Sequence, residues 1–368
     1  MRSTVYRLMA GNCPSSVEVG SKSPHNQARQ RDRFVPLPLH KSARYASVIC
    51  IRCSMEISLD EKVKRWVEKE GYPLEFSTAH KFKKRRFSVE QSYFAKDENG
   101  KAREVDVLAT ANVPIGRSFL RIKHVVECKW SKDKPWVLFK DEKRFATSAL
   151  AAQLISSSAG QAIAWAAAGN EEFKELGMFK GEGFSFSGRQ AFSKGNDLFY
   201  QAVQGVVSNC LNITRFYDEY EFAPEDHMLA VITLPLIVIE GGLHEATYAP
   251  ESDELQLNSI NHARLRWKGN ERRQLNTVID VVTSDYLDTF LDTFLDTREK
   301  ELEVLVSCFG EALQQLIKCF QEKTEKYLVV REGARGISGR PNLLRKLSKL
   351  STPNKKLQTD ASDDAPFS

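Results

Sequence analysis

Hydrophobic and polar positions along this chain follow two periods, and the switches between them outline its elements. From Ile57 the period is helical: Leu59, Val63, Trp66 and Val67 share one face, and Ser58 with Glu61 makes a Ser-x-x-Glu capping box. Gly71 is placed to end that helix. The period then falls to two, and Phe87 to Lys96, Arg103 to Thr110 and Phe119 to Trp130 read as strands. The first two are joined through Asp97-Glu98-Asn99-Gly100, whose Asn-Gly favours a tight hairpin.

After Trp136 the pattern predicts helix through an Ala-rich stretch, then a loop of Gly and Phe from Gly177 to Gly188, then a helix around Asp197 to Asn209. Strands are expected over Leu229 to Ile239 and Leu255 to Trp267, separated by a loop with Gly241-Gly242 and Pro250, and a short strand over Thr277 to Val282. The Leu-Asp-Thr-Phe repeat between Leu287 and Thr297 is too short for a solenoid unit and is expected to extend a helix. From Arg298 to Tyr327, Leu302, Val306, Phe309, Leu313, Leu316 and Phe320 step by fours and threes. That helix is expected to dock on its own domain, with a dimer seam as the alternative.

The fold class read from these elements is α/β, a mixed central sheet with helices on both faces and a C-terminal helix. Residues 55–297 form the domain, with a helical insertion at about 141–210; 298–330 is the C-terminal helix and 331–368 a disordered tail. Residues 1–54 hold nine basic residues against Glu18 and Asp32, with no sustained period, so they read as an unfolded leader. Met55 directly precedes the first well-patterned helix and is expected to be the true start.

Composition narrows the function classes. The 368 residues are 42% hydrophobic and 27% charged, ordinary for a soluble chain able to bury a sizeable core, and the net charge of +5 is too small by itself to indicate nucleic acid. Seven cysteines without paired spacing exclude a disulfide framework and leave Cys50-Ile51-Arg52-Cys53 as a lone CxxC, so a reducing cytoplasm is the expected location. The apolar run Leu229 to Ile239 is far short of the roughly 20 residues a membrane-spanning helix needs. No phosphate-binding glycine loop is followed by Gly-Lys-Ser/Thr, and the histidines lack His-x-x-x-His spacing, so ATP use and zinc hydrolysis have no visible basis.

One stretch offers the parts for metal-assisted phosphodiester hydrolysis, which needs hard oxygen ligands and a nearby cation. In Arg103 to Leu108, strand alternation sends Val105 and Val107 to one face and Asp106 to the other. In Ile122 to Trp130 the same period sets Ile122, Val126, Cys128 and Trp130 against Glu127 and Lys129. If the strands are neighbours, Asp106 and Glu127 converge on one Mg²⁺ or Mn²⁺, the Cys128 carbonyl can be a third ligand, and Lys129 can orient the water. The bland alternative is a solvated strand face with an ion pair.

A helix, a hairpin, a strand with Asp106, a strand with Glu127-Cys128-Lys129 and a following helix resemble the PD-(D/E)xK restriction-endonuclease-like superfamily, and among its members type IV restriction endonucleases. The resemblance covers roughly residues 55 to 135 and implies a divalent-metal-dependent endonuclease acting on DNA, with a homodimer as one possible assembly. It maps the family's Asp to Asp106 and its Glu-x-Lys to Glu127 and Lys129. The acid of the family's first helix maps to Glu61, ahead of Gly71-Tyr72, although the capping box also explains that residue. Val105 stands where the family has proline. The pattern of Glu-x-Lys alone is short: Glu172-Phe173-Lys174 fits it too, without a strand context.

Cations for phosphates are supplied by Lys81, Lys83, Lys84, Arg85 and Arg86 before the hairpin, and by Lys132 and Lys134 after the Glu-x-Lys strand. They would give affinity rather than sequence choice. Two rival functions remain on the sequence: a catalytically silent nucleic-acid-binding module of the same fold, and an interaction protein acting through its C-terminal helix.

Overall fold

The computed structural model describes residues 57–322, apart from 97–99, 116–117, 132, 141–153, 169, 177–182, 196, 220–227, 269–275 and 295–298. The leader, Met55, the Asp97-Glu98-Asn99 turn, Lys132, the first part of the Ala-rich stretch and the tail all lie outside the described residues.

Helix α1 (Leu59–Lys69) begins where the capping box placed it: Ser58 accepts a hydrogen bond from the Glu61 N–H. Its apolar face is not buried, however; Leu59, Val63 and Trp66 are all at least half exposed. Gly71, at φ 87°, ends the helix and at once starts α2 (Tyr72–Lys84), with Pro73 in the first turn where a missing N–H costs nothing. The sequence reading passed from α1 directly to strand. α2 is nevertheless the better buried helix, through Leu74, Thr78, Ala79 and Phe82.

An antiparallel meander follows: β1 (Ser88–Lys96), β2 (Ala102–Ile115) and β3 (Ser118–Trp130). Further along the chain come β4 (Trp136–Lys140), β5 (Ile155–Ser156), α3 (Ser158–Ala167), α4 (Glu171–Glu175), β6 (Phe184–Gln190) and α5 (Leu198–Glu219). The last part comprises β7 (Met228–Glu240), β8 (Leu243–Ala249), β9 (Glu254–Ile260), β10 (His262–Lys268), β11 (Asn276–Thr283), α6 (Leu287–Phe294) and α7 (Glu299–Gln321). The described strands form one mixed sheet in the order β1-β2-β3-β7-β11-β10-β6-β4-β8-β9, with β5 beside β7.

β7 holds the sheet together. It pairs in parallel with β3 along its full length, from Ser118 opposite Met228 to Trp130 opposite Glu240. On its other side Ile232 and Thr233 pair with β5, and Leu236 to Ile239 pair with β11. Pro235 lies at that changeover, the kind of position where a strand tolerates proline.

Adjacent residues of the central strands enter different cores, so both faces are covered. Val125, Ile237 and Val281 pack with α5, through Phe199, Val203 and Val206, while Val126, Val238 and Val282 pack with α2 and α6, through Phe82 and Phe290. A strand buried on both faces reads as a continuous apolar run, which is why Leu229 to Ile239 shows no alternation. Over the other half of β3 and β7, Leu120, Ile122, Ala230 and Ile232 pack with α3, α4 and α7. Helix α7 therefore docks on its own domain, through Leu305, Phe309, Leu313 and Leu316. The side chains of Leu302 and Phe320 lie outside those described.

Four readings of the sequence are corrected. Residues after Trp136 form strand β4, and the end of the Gly and Phe loop forms β6, because Trp136, Leu138 and Phe184 are drawn into the core. Residues after Gly242, read as loop, are β8. The expected strand Leu255 to Trp267 breaks at Asn261 into β9, which pairs with β8, and β10, which pairs with β11 and β6. Among the described residues no helix is long and apolar enough to cross a membrane.

Candidate active site

The β2–β3 ladder runs from Ile115 opposite Ser118 to Val107 opposite Val126 and stops there. The next position would set Asp106 against Glu127. Instead the strands part, and the Asp106 carboxylate accepts the Cys128 N–H at 2.7 Å. On the other side of β2 the ladder also skips this level: Ser92, at φ 49°, stands where a partner for Asp106 would be.

This break changes the faces of β2. Val107 packs in the α2 core but Val105 packs in the α5 core, so the two valines expected to share a face lie on opposite ones. The correction follows from the interruption at Asp106: a strand whose pairing lapses on both sides can slip its two-residue period. Asp106 thus sits where the strand turns over, half-withdrawn from water.

On β3 the alternation holds through the site. Val126 and Cys128 face α2, where the Cys128 thiol lies 3.8 Å from Thr78 Oγ1, and its backbone runs in the ladder opposite Val238 of β7. Glu127 faces α5. It lies against Gly205, where a Cβ would meet Glu127 Oε2 at 3.6 Å, an ordinary contact. Lys129 Nζ donates to Glu127 Oε1 at 2.5 Å, and neither side chain is more than a quarter exposed.

Burial raises the carboxyls of both Asp106 and Glu127 above the ordinary carboxylate range, partly offset by the Cys128 N–H at the first and by Lys129 at the second. Burial works against the Lys129 charge, but Glu127 and Asp106 outweigh it and hold the ammonium more firmly protonated. The site therefore concentrates negative charge around one cation.

A fourth group belongs here that the sequence reading missed. Glu75, in the first turns of α2, is raised from 4.5 to about 7 by burial and by the nearby charges of Asp106, Glu104 and Glu127, against the attraction of Lys129. Glu61 is placed otherwise: it pairs with Arg65 at 3.3 Å on the exposed surface of α1. The helical acid within electrostatic reach of Asp106 and Glu127 is thus Glu75, four residues after Gly71 rather than ten before it. The signal available was the helical spacing of Leu74, Thr78 and Phe82, which fixes α2 and the direction of Glu75.

The donors suit a hard divalent cation in kind: carboxylate oxygens crowded enough to resist ionisation, which a bound cation would relieve. Among the described residues, no three His, Cys, Asp or Glu side chains gather into a ready-made ligand cluster.

The expected phosphate-binding cations are divided by the structure. Lys81 donates to the Ser284 carbonyl at 2.6 Å and pairs with Asp288 at 3.2 Å. The Arg85 guanidinium, only 9% exposed, is held by Asp288 at 2.8 Å and Asp292 at 2.6 Å. These two clamp α2 to α6 and face inward, because they fall on the helical side that α6 covers. Lys83, Lys84, Arg86 and Lys134 remain on the surface.

No protein-family model, curated protein or solved structure matches this chain.

Proposed function

We propose that this chain is a divalent-metal-dependent endonuclease of the PD-(D/E)xK type that hydrolyses DNA phosphodiester bonds. The observation that carries the reading is the parting of β2 and β3 at one level, beside which Asp106, Glu127 and Lys129 gather, with Glu75 of α2 within electrostatic reach. Asp106 and Glu127 would hold Mg²⁺ or Mn²⁺, with the Cys128 carbonyl as a further candidate ligand. The bound ion would supply Lewis-acid polarisation of the phosphate and a more acidic water.

The chain's own groups do the rest. Lys129 positions the attacking water and stabilises the negative charge that develops on the phosphate. To do so its ammonium would have to turn from Glu127 toward the substrate, a move that a cation held by Glu127 would favour. Glu75, raised to about 7, is suited to exchange a proton near neutral pH close to this group. Lys83, Lys84, Arg86 and Lys134 are the surface cations for flanking phosphates.

The test is cleavage of plasmid, linear and single-stranded DNA with Mg²⁺ or Mn²⁺ by the protein and its Lys129→Ala variant. Cleavage by the wild type alone supports the reading. Salt-sensitive binding with no cleavage by either would instead support a silent nucleic-acid-binding module, a reading favoured by one feature, the direct closure of Lys129 onto Glu127.

A further inference from the structure

Four residues before Glu127, on the same face of β3, lies a second charged group. Lys123 is 5% exposed, so its ammonium is buried between the sheet and the last turns of α5. Its contacts are neutral: it donates to Thr110 Oγ1 at 3.2 Å and lies 5.4 Å from the centre of the Tyr217 ring. Arg121, two residues earlier, shares that ring at 5.4 Å, donates to the Tyr217 hydroxyl at 3.1 Å and to Asn112 Oδ1 at 2.7 Å. Among the described residues neither cation has a carboxylate within ion-pair distance.

This arrangement is costly as it stands. A buried ammonium is normally paired, and two like charges about 6.6 Å apart along one strand repel each other where water cannot screen them well. Hydroxyl, amide and ring contacts orient the two cations but do not neutralise them. Arg121 is only partly buried and its partner Asn112 is exposed, so the Arg121 end of the pair reaches solvent.

We infer that Arg121, Lys123 and the Tyr217 hydroxyl form a phosphate-binding subsite that takes a backbone phosphate of a nucleic acid beside the last turns of α5. This rests on the nuclease reading for the identity of the ligand, though not for the presence of an oxyanion site. The subsite lies about 13 Å along β3 from Glu127, and Val125, packed against α5, separates the two, so the subsite is apart from the acidic gap. Its anchored phosphate would add affinity and orientation rather than sequence choice.

The experiment is binding of a short labelled single-stranded DNA by fluorescence anisotropy in EDTA, where no cleavage occurs. Wild type is compared with Lys123→Met and Arg121→Gln across a salt series, with inorganic phosphate titrated separately by calorimetry. Each variant is expected to bind about tenfold more weakly and to flatten the slope of log K against log salt by about 0.7. Lys123→Met should melt no lower than wild type, because a methionine there removes an unpaired buried charge. A purely structural lysine gives the opposite pattern, a lower melting temperature with unchanged affinity, and overturns the inference.

Two further outcomes separate the readings. Inorganic phosphate binding that depends on Lys123, with DNA binding that does not, means the site takes a small phosphate compound and overturns the nucleic-acid assignment. DNA binding that depends on Lys123 and Arg121, in a protein that never cleaves with Mg²⁺, supports the subsite and sinks the nuclease alone.

Discussion

Replacing Glu75 by Gln tests the electrostatics of the acidic gap without touching Asp106, Glu127 or Lys129. The wild-type carboxyl titrates at about 7 in the folded protein against 4.5 ordinarily, so the folded state prefers it protonated. Its burden on stability is absent below about pH 4.5, grows as pH rises toward 7, and is complete above that. The full distance from 4.5 to about 7 corresponds to at most about 3.4 kcal/mol at 1.36 kcal/mol per pH unit. Glu75 is only half-buried, and solvent screening reduces this to about 1–2 kcal/mol. Gln keeps the shape and never ionises, so Glu75→Gln should match wild type at pH 4.5 and melt higher at pH 8, by about 2–8 °C for a domain of this size. Differential scanning calorimetry from pH 4.5 to 8.5 reads this directly. Mg²⁺ added at pH 8 should narrow the gap, because a cation among the carboxylates relieves the wild type most. A difference that stays flat with pH, or a Gln variant that melts lower at pH 8, would refute the placement of Glu75 over the gap.

Three other outcomes are expected. Gly205→Val should abolish DNA cleavage with only a modest fall in melting temperature, since its branches press on the Glu127 carboxylate, whereas Gly205→Ala, whose Cβ meets only an ordinary contact at 3.6 Å, should keep activity. Arg85→Met should cost about 1–3 kcal/mol in urea unfolding by removing the ion pairs of Arg85 with Asp288 and Asp292, though Lys81 still holds Asp288, and an unchanged midpoint would show that Arg85 contributes nothing to the clamp. His124 is buried against Phe82 and Phe87, and burial lowers it from 6.5 to about 4. Its neutral form is favoured in the fold, so it contributes stability that is present above pH 6.5 and lost as pH falls toward 4; His124→Leu should remove that acid-side loss, measured as a flatter stability curve between those values.

The strands of the acidic gap were legible because β2 and β3 carry enough local alternation to fix their direction, and Glu127 with Lys129 follows from a period of two that β3 keeps throughout. Asp106 was legible as a residue but not in its setting. The lapse in pairing that turns β2 over depends on Ser92 across the ladder, a relation between strands that no window of β2 contains. Helix α2 was overlooked because Gly71 and Pro73 look like punctuation, although here glycine serves as the joint between two helices and proline occupies a first turn. Strands β4, β6 and β8 were hidden for another reason: each is short, and its state is set by neighbours far away in sequence, as Trp136 beside Gln190 and Leu243 shows. The inward turn of Lys81 and Arg85 likewise needed α6, about 200 residues later, to be seen.

The parallel union of β3 with β7 has a consequence for how the chain is made. Their register joins Ser118 to Met228, a separation of 110 residues (228 − 118), so the meander carrying Asp106, Glu127 and Lys129 leaves the ribosome well before its central partner. At about 5–20 residues per second, the open edge of β3 waits on the order of 5–20 s for β7 to arrive. An apolar strand edge exposed for that long is a template for the wrong strand, including the β3 of a neighbouring nascent chain. The nascent chain should therefore depend on a holdase or on low expression temperature during that interval. Once β7 is in place, β3 is paired on both sides over most of its length and that template is closed.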